Sequence, residues 1–145
     1  MDAVLPYRAM AYNNGWANHR LLAACVRLSQ ADFVAPRTGF FPSLRATLNH
    51  ILIVDLFYVD AMEGGTLGPA AWADPEPCET AITLRNAQRE ADRRLIAVVE
   101  RPAWPISIVS LTYTAVIAFN ASGSIGCCFT CFSIRFIIGV RRTRC

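Results

Sequence analysis

Residues 42–65 read PSLRATLNHILIVDLFYVDAMEGG. Pro42 suits a first helical turn, where a missing backbone N–H costs nothing. Leu44, Leu48, Ile51, Leu52, Val59 and Met62 then keep a broad apolar face until Gly64-Gly65 stop it. The spacing predicts a helix. Upstream, Gln30 to Phe40 hold Asp32, Pro36, Thr38 and Gly39, which break the pattern and predict a loop. Before that, Tyr7, Ala11, Asn18, Leu21, Leu22, Cys25 and Leu28 recur at helical spacing between Tyr7 and Ser29, with Arg8, Arg20 and Arg27 free for the other side. Downstream, Gly64 to Pro77 reads as an extended surface connection. A third helix starts near Glu79-Thr80 and runs through Leu84, Ala87, Ala91, Leu95 and Val98 to Pro102 and Pro105. It wears Arg85, Arg89, Glu90, Asp92, Arg93 and Arg94 outside, with Glu90 and Arg94 as an i,i+4 pair. Three amphipathic helices with one apolar stripe each need a fourth partner, so an all-α, up-down four-helix bundle is expected, with the fourth helix aberrant or poorly formed.

The chain has 145 residues, 54% hydrophobic and 17% charged, which fits one domain over residues 1–145. A net charge of +3 is too small and too spread for nucleic acid to be the expected partner. All 14 basic residues are Arg, a bias that GC-rich coding would produce. Charge and cysteine change abruptly along the chain. The 11 acids and ten of the Arg precede residue 106, and the last forty residues keep four Arg and no acid. Cys25 and Cys78 lie in the body, residues 1–104, whereas Cys127, Cys128, Cys131 and Cys145 crowd the tail, residues 105–145. The first twenty residues, MDAVLPYRAMAYNNGWANHR, show no basic segment followed by an apolar one, so a cytoplasmic chain with reduced thiols is expected.

Only His19 and His50 are present. His19, between Asn18 and Arg20, is expected to be solvated. His50 shares a surface with Ala46, Ile53 and Val54, and spacing alone leaves two readings open: a hydrogen-bonded core histidine or a ligand. A lone imidazole holds no metal well, because a catalytic zinc ion takes about three protein ligands.

Three segments, Tyr12 to Leu22 (YNNGWANHRLL), Arg37 to Leu44 (RTGFFPSL) and Thr47 to Asp55 (TLNHILIVD), resemble in order and separation the signatures of the DinB/YfiT-like family. The likeness covers about residues 5 to 100. It implies a four-helix bundle holding a divalent metal, Zn or Ni, on three His: one from the second helix, matched by His50, and two from an HxxxH pair on the fourth. It further implies a thiol S-transferase-like activity using a low-molecular-weight thiol, the metal lowering the pKa of the bound thiol so that thiolate attacks. Damage-inducible regulation goes with the family name.

The fourth-helix motif of that family, approximately HLFNHQ-x-HHRGQ-x-HAL, is absent from residues 106–145, which contain no His. The CC-x-x-C run at Cys127, Cys128 and Cys131 has no second pair and is a weak metal signal. The neighbouring reading frame is more telling. Ser133 to Gly139, written TCC ATC AGG TTC ATC ATC GGG, rereads from its third base as CAT CAG GTT CAT CAT CGG, or His-Gln-Val-His-His-Arg. Val140 to Thr143 permit Gly-Gln-x-His in the same frame, and Phe129-Thr130 permit a preceding His; the Gln codons require AGG or AGA at Arg135 and Arg141. The expectation is a tail translated out of frame from a point between Arg101 and Cys128, and hence a chain impaired or inactive as written.

Two other readings compete. Residues 106–134 carry no charge and exceed the ~20 needed to cross a bilayer, and Arg135, Arg141, Arg142 and Arg144 would supply a basic flank, giving a tail-anchored bundle. Gly123, Ser122, Ser124 and Asn120 weaken that span. Alternatively, a metal-free bundle acts by association, the tail covering the open face of the third helix, a face that would otherwise invite a homodimer. Asp55 and Asp60 follow His50 and receive no assigned role.

Overall fold

The computed structural model describes residues 5–101. These form α1 (Leu5–Cys25), α2 (Gln30–Val34), α3 (Leu44–Glu63), a 3-10 turn (Gly68–Trp72) and α4 (Ala81–Val99), with no strand among the described residues. The all-helical class expected from the apolar periodicity is what the chain adopts. The fourth long helix that the bundle calls for would fall in residues 105–145, outside the described residues.

Chain direction departs from simple alternation. Contacts between α1 and α4 pair early residues of one with late residues of the other: Arg8 with Val99, Tyr12 with Glu100, Asn18 with Asp92. These two helices are antiparallel. Between α3 and α4 the order is conserved, from Asn49 with Cys78 through Asp55 with Gln88 to Glu63 with Arg94, so these two are parallel. A parallel neighbour requires the chain to return the full length of a 20-residue helix, about 30 Å. The connection 64–80 makes that return, and its length is the sequence trace of the crossover.

Each boundary has a local cause. The Ser43 hydroxyl caps α3 by accepting from the Ala46 amide at 3.0 Å, and Gly64 ends the helix at φ 82°, a left-handed conformation natural to glycine. Asp60 stabilises the exit, accepting from the Leu67 amide at 2.8 Å. A capping box of Thr80 and Thr83 starts α4. At the far end the Arg8 guanidinium donates to the Val99 carbonyl at 3.3 Å, satisfying one of the unpaired acceptors of the last turn from a neighbouring helix.

Four expectations need correction. The segment after Ser29 is not wholly a loop: the Ser29 hydroxyl accepts from the Asp32 amide at 3.1 Å and starts α2, which drives Phe33, 1% exposed, into a cluster with Leu22, Cys25, Leu48, Leu52 and Leu84. The connection after α3 is not simply extended, since its 3-10 turn lays Trp72 against Phe57 with ring centroids 4.8 Å apart. Leu21 and Leu28 are exposed, while Leu22 and Cys25 join the core cluster with Leu84 and Ala91; nearer the start of α1, Gly15 lies close to Asp92 and Ile96, and Asn18 bonds Asp92. Arg94 does not pair with Glu90. It reaches Glu63 on α3 at 2.6 Å, while Glu90 pairs with Arg93 three residues on. The Arg94–Glu63 pair is only about a quarter exposed and ties the late ends of the two parallel helices.

If α2 is a plug rather than a passing turn, Phe33→Ala leaves a cavity and lowers stability by about 3–5 kcal/mol. Val34→Ala beside it, at a partly exposed position, costs far less. Urea denaturation of both variants checks this.

Candidate functional site

The site is built outward from one asparagine. Asn49 lies wholly buried in α3, next to His50. Its Nδ2 donates to the Arg45 carbonyl and the Cys78 carbonyl, both at 2.9 Å, and its Oδ1 accepts from the Cys78 amide at 2.9 Å. One side chain thus satisfies both backbone groups of Cys78, just before α4 begins. This sets the rotation of α3 about its axis and the height at which α4 starts. His50 takes its place from that rotation. Its ring is half-buried and lies against Phe41, centroids 4.6 Å apart and planes tilted 35°. Phe41 stands two residues before the Ser43 cap, so the turn that starts α3 also supports the imidazole.

The remaining candidates are dispersed. His19 is exposed on α1, as expected. Asp55 is buried and accepts from Gln88 Nε2 at 2.7 Å; Asp60 is committed to Leu67. Cys25 and Cys78 are buried free thiols, and burial pushes both toward the protonated form, the opposite of what a nucleophile or ligand needs. Among the described residues no three His, Cys, Asp or Glu side chains come together as a set able to hold a metal ion. The tail cysteines lie outside the described residues.

A second polar group escaped the sequence reading. Asp92 was expected on the outer face of its helix and is instead buried at the α1–α4 contact. Its Oδ1 accepts from Asn18 Nδ2 at 2.8 Å and Asn14 Nδ2 at 3.1 Å. Burial pushes its carboxyl above the ordinary aspartate range, and hydrogen bonds from Asn18, Gln88 and Asn14 offset part of that. The signal was present: Gln88 and Asp92 fall in phase with Leu84, Ala91 and Leu95, inside the apolar stripe of α4.

Among the described residues no helix is long and apolar enough to cross a membrane; residues 106–134 lie outside that statement. The model of the DinB family matches residues 4–105. The chain therefore belongs to the DinB family, and the match ends where the composition changes. No curated protein and no solved structure matches the chain.

Replacing Asn49 by Ala strands a buried amide and a buried carbonyl at Cys78. Each unsatisfied group costs roughly 1–3 kcal/mol, so a loss of about 2–5 kcal/mol is expected in chemical denaturation, larger than for a surface Asn→Ala change.

Proposed function

We propose that this DinB family chain carries one ligand of a metal-dependent thiol-transferase-like site, His50, and that the others are lost to a change of reading frame in the tail. The observation supporting this is in the sequence: His50 lies in the family-like body, and residues 106–145, where the family resemblance expects the other two His, contain none. A single imidazole does not fit a catalytic divalent ion, which needs about three protein donors and an open position. No catalytic step is therefore assigned to the chain as written.

The Zn- or Ni-dependent transfer involving a low-molecular-weight thiol belongs to the protein that the alternative frame would encode. Three facts favour that frame. The family match stops at residue 105, acidic residues end at Glu100, and the codons of Ser133 to Gly139 admit His-Gln-Val-His-His-Arg one frame away. Where the scaffold is concerned, nothing in the body argues against a working ancestor: the caps and the support beneath His50 are in place.

Sequencing the gene tests the frame. A stop codon in the alternative frame, or the absence of His codons there, rejects it. Elemental analysis tests the site. The purified chain is expected to hold far less than one zinc or nickel ion, and a version with the tail restored to the other frame to approach stoichiometric loading. Equal occupancy in both would overturn the reading.

A further inference from the structure

Packing on α4 uses one face of α1 and leaves another exposed. Leu5, Ala9, Tyr12, Trp16 and Ala23 fall on one line along the helix, about a third of a turn from the buried line of Ala11, Leu22 and Cys25. None of the five is charged. Leu5, Tyr12 and Trp16 are 62%, 51% and 58% exposed, and Tyr and Trp are the residue types that most often anchor protein interfaces. The two flanks of the line carry opposite charge. On the α4 side the Tyr12 hydroxyl donates to the Glu100 carboxylate at the end of α4. Helical phase puts Arg20 on the other flank, where its guanidinium lies over Trp16, 4.9 Å from the ring centroid. Eight residues separate Tyr12 from Arg20, about 12 Å of helix, so Arg20 and Glu100 of one chain stand apart.

We propose that this line is the contact between two copies of the chain, α1 lying antiparallel on α1 of the partner about a two-fold axis between Tyr12 and Trp16. The axis sets Tyr12 against the partner's Trp16 and Leu5 against the partner's Ala23, an aromatic pair at the centre and a large residue on a small one at each end. It also exchanges the flanks. The partner's Arg20 comes to the α4 side, one turn from Tyr12, where Glu100 and the partly negative end of α4 lie, and Arg20 meets the partner's Glu100 in return. Arg8, at the same level, is turned to the Val99 carbonyl. This complementarity of charge selects a second copy as the occupant. Residues 106–134 of the same chain carry no charge, so laid along the line they would leave Arg20 and Glu100 unanswered.

Sedimentation equilibrium of the full chain tests the contact, and a reversible monomer–dimer equilibrium is expected. Trp16→Ala is expected to raise the dimer Kd by about a hundredfold. Arg20→Glu and Glu100→Arg should each raise it by about tenfold, and R20E with E100R in one chain should recover to within about threefold of wild type, because the swap restores the pair only across the axis. All three positions are exposed, so the helical content by circular dichroism should not change. A chain that stays monomeric up to its solubility limit, a dimer indifferent to W16A, or a double variant no tighter than the single ones would overturn the proposal. Hydroxyl-radical footprinting of the unmodified chain separates the other occupant. Trp16 is expected to grow more reactive on dilution, and a Trp16 that is protected in the monomer shows that residues 102–145 cover the line and rejects the dimer.

Discussion

The three hydrogen bonds of Asn49 are the constraint on which the rest of the body hangs. A helix packed by apolar contacts alone can rotate or slide by a fraction of a turn at small cost, because dispersion is not directional. Asn49 removes that freedom. Its amide binds both the donor and the acceptor of Cys78, which fixes the register at that point. With α4 fixed against α3 at this point, Gln88 meets Asp55 and Arg94 meets Glu63 further along the same seam. The buried polar positions of this bundle therefore act as registration marks in a core that is otherwise tolerant of small shifts.

The two seams of α4 are built from different materials. Against α3 it presents Leu84 and Ala91 to the core around Leu48 and Leu52, with the Gln88–Asp55 bond set within. Against α1 the contact combines Leu22 and Cys25 with a polar stretch in which Asn14 and Asn18 bond the Asp92 carboxyl. Apolar burial stabilises the first seam irrespective of pH. The second adds hydrogen bonds from Asn14 and Asn18 to the buried Asp92 carboxyl.

Much of this was legible in the amino acids, and the failures share a cause. The three long helices followed from apolar period and from local stops such as Gly64; Pro42, read as part of the first turn of α3, instead stands just before the Ser43 cap. His50 was singled out through the resemblance carried by Thr47 to Asp55. Asn49, in the same segment, was not, since its partners are backbone atoms 29 residues away and a backbone has no residue-specific signature. Asp92 was hidden by its neighbours: in the run Arg89 to Arg94 every residue but Ala91 is charged, and charge suggested solvent where helical phase pointed inward. For α2, Ser29 and Asp32 formed a cap that Pro36 and Gly39 overshadowed. The direction of α4 was implied by the length of the connection 64–80, which is more than a short helix hairpin needs.

That crossover also organises the electric field of the body. Because α3 and α4 run the same way, their aligned peptide dipoles place two partly positive N-termini at one pole and two partly negative C-termini at the other. The N-terminus of α1 lies at the negative pole, beside the end of α4, where side-by-side attraction of opposed dipoles replaces repulsion. A further helix laid lengthwise beside the like-directed pair gains by running in the sense of α1, so electrostatics favours one direction for the helix that completes the bundle.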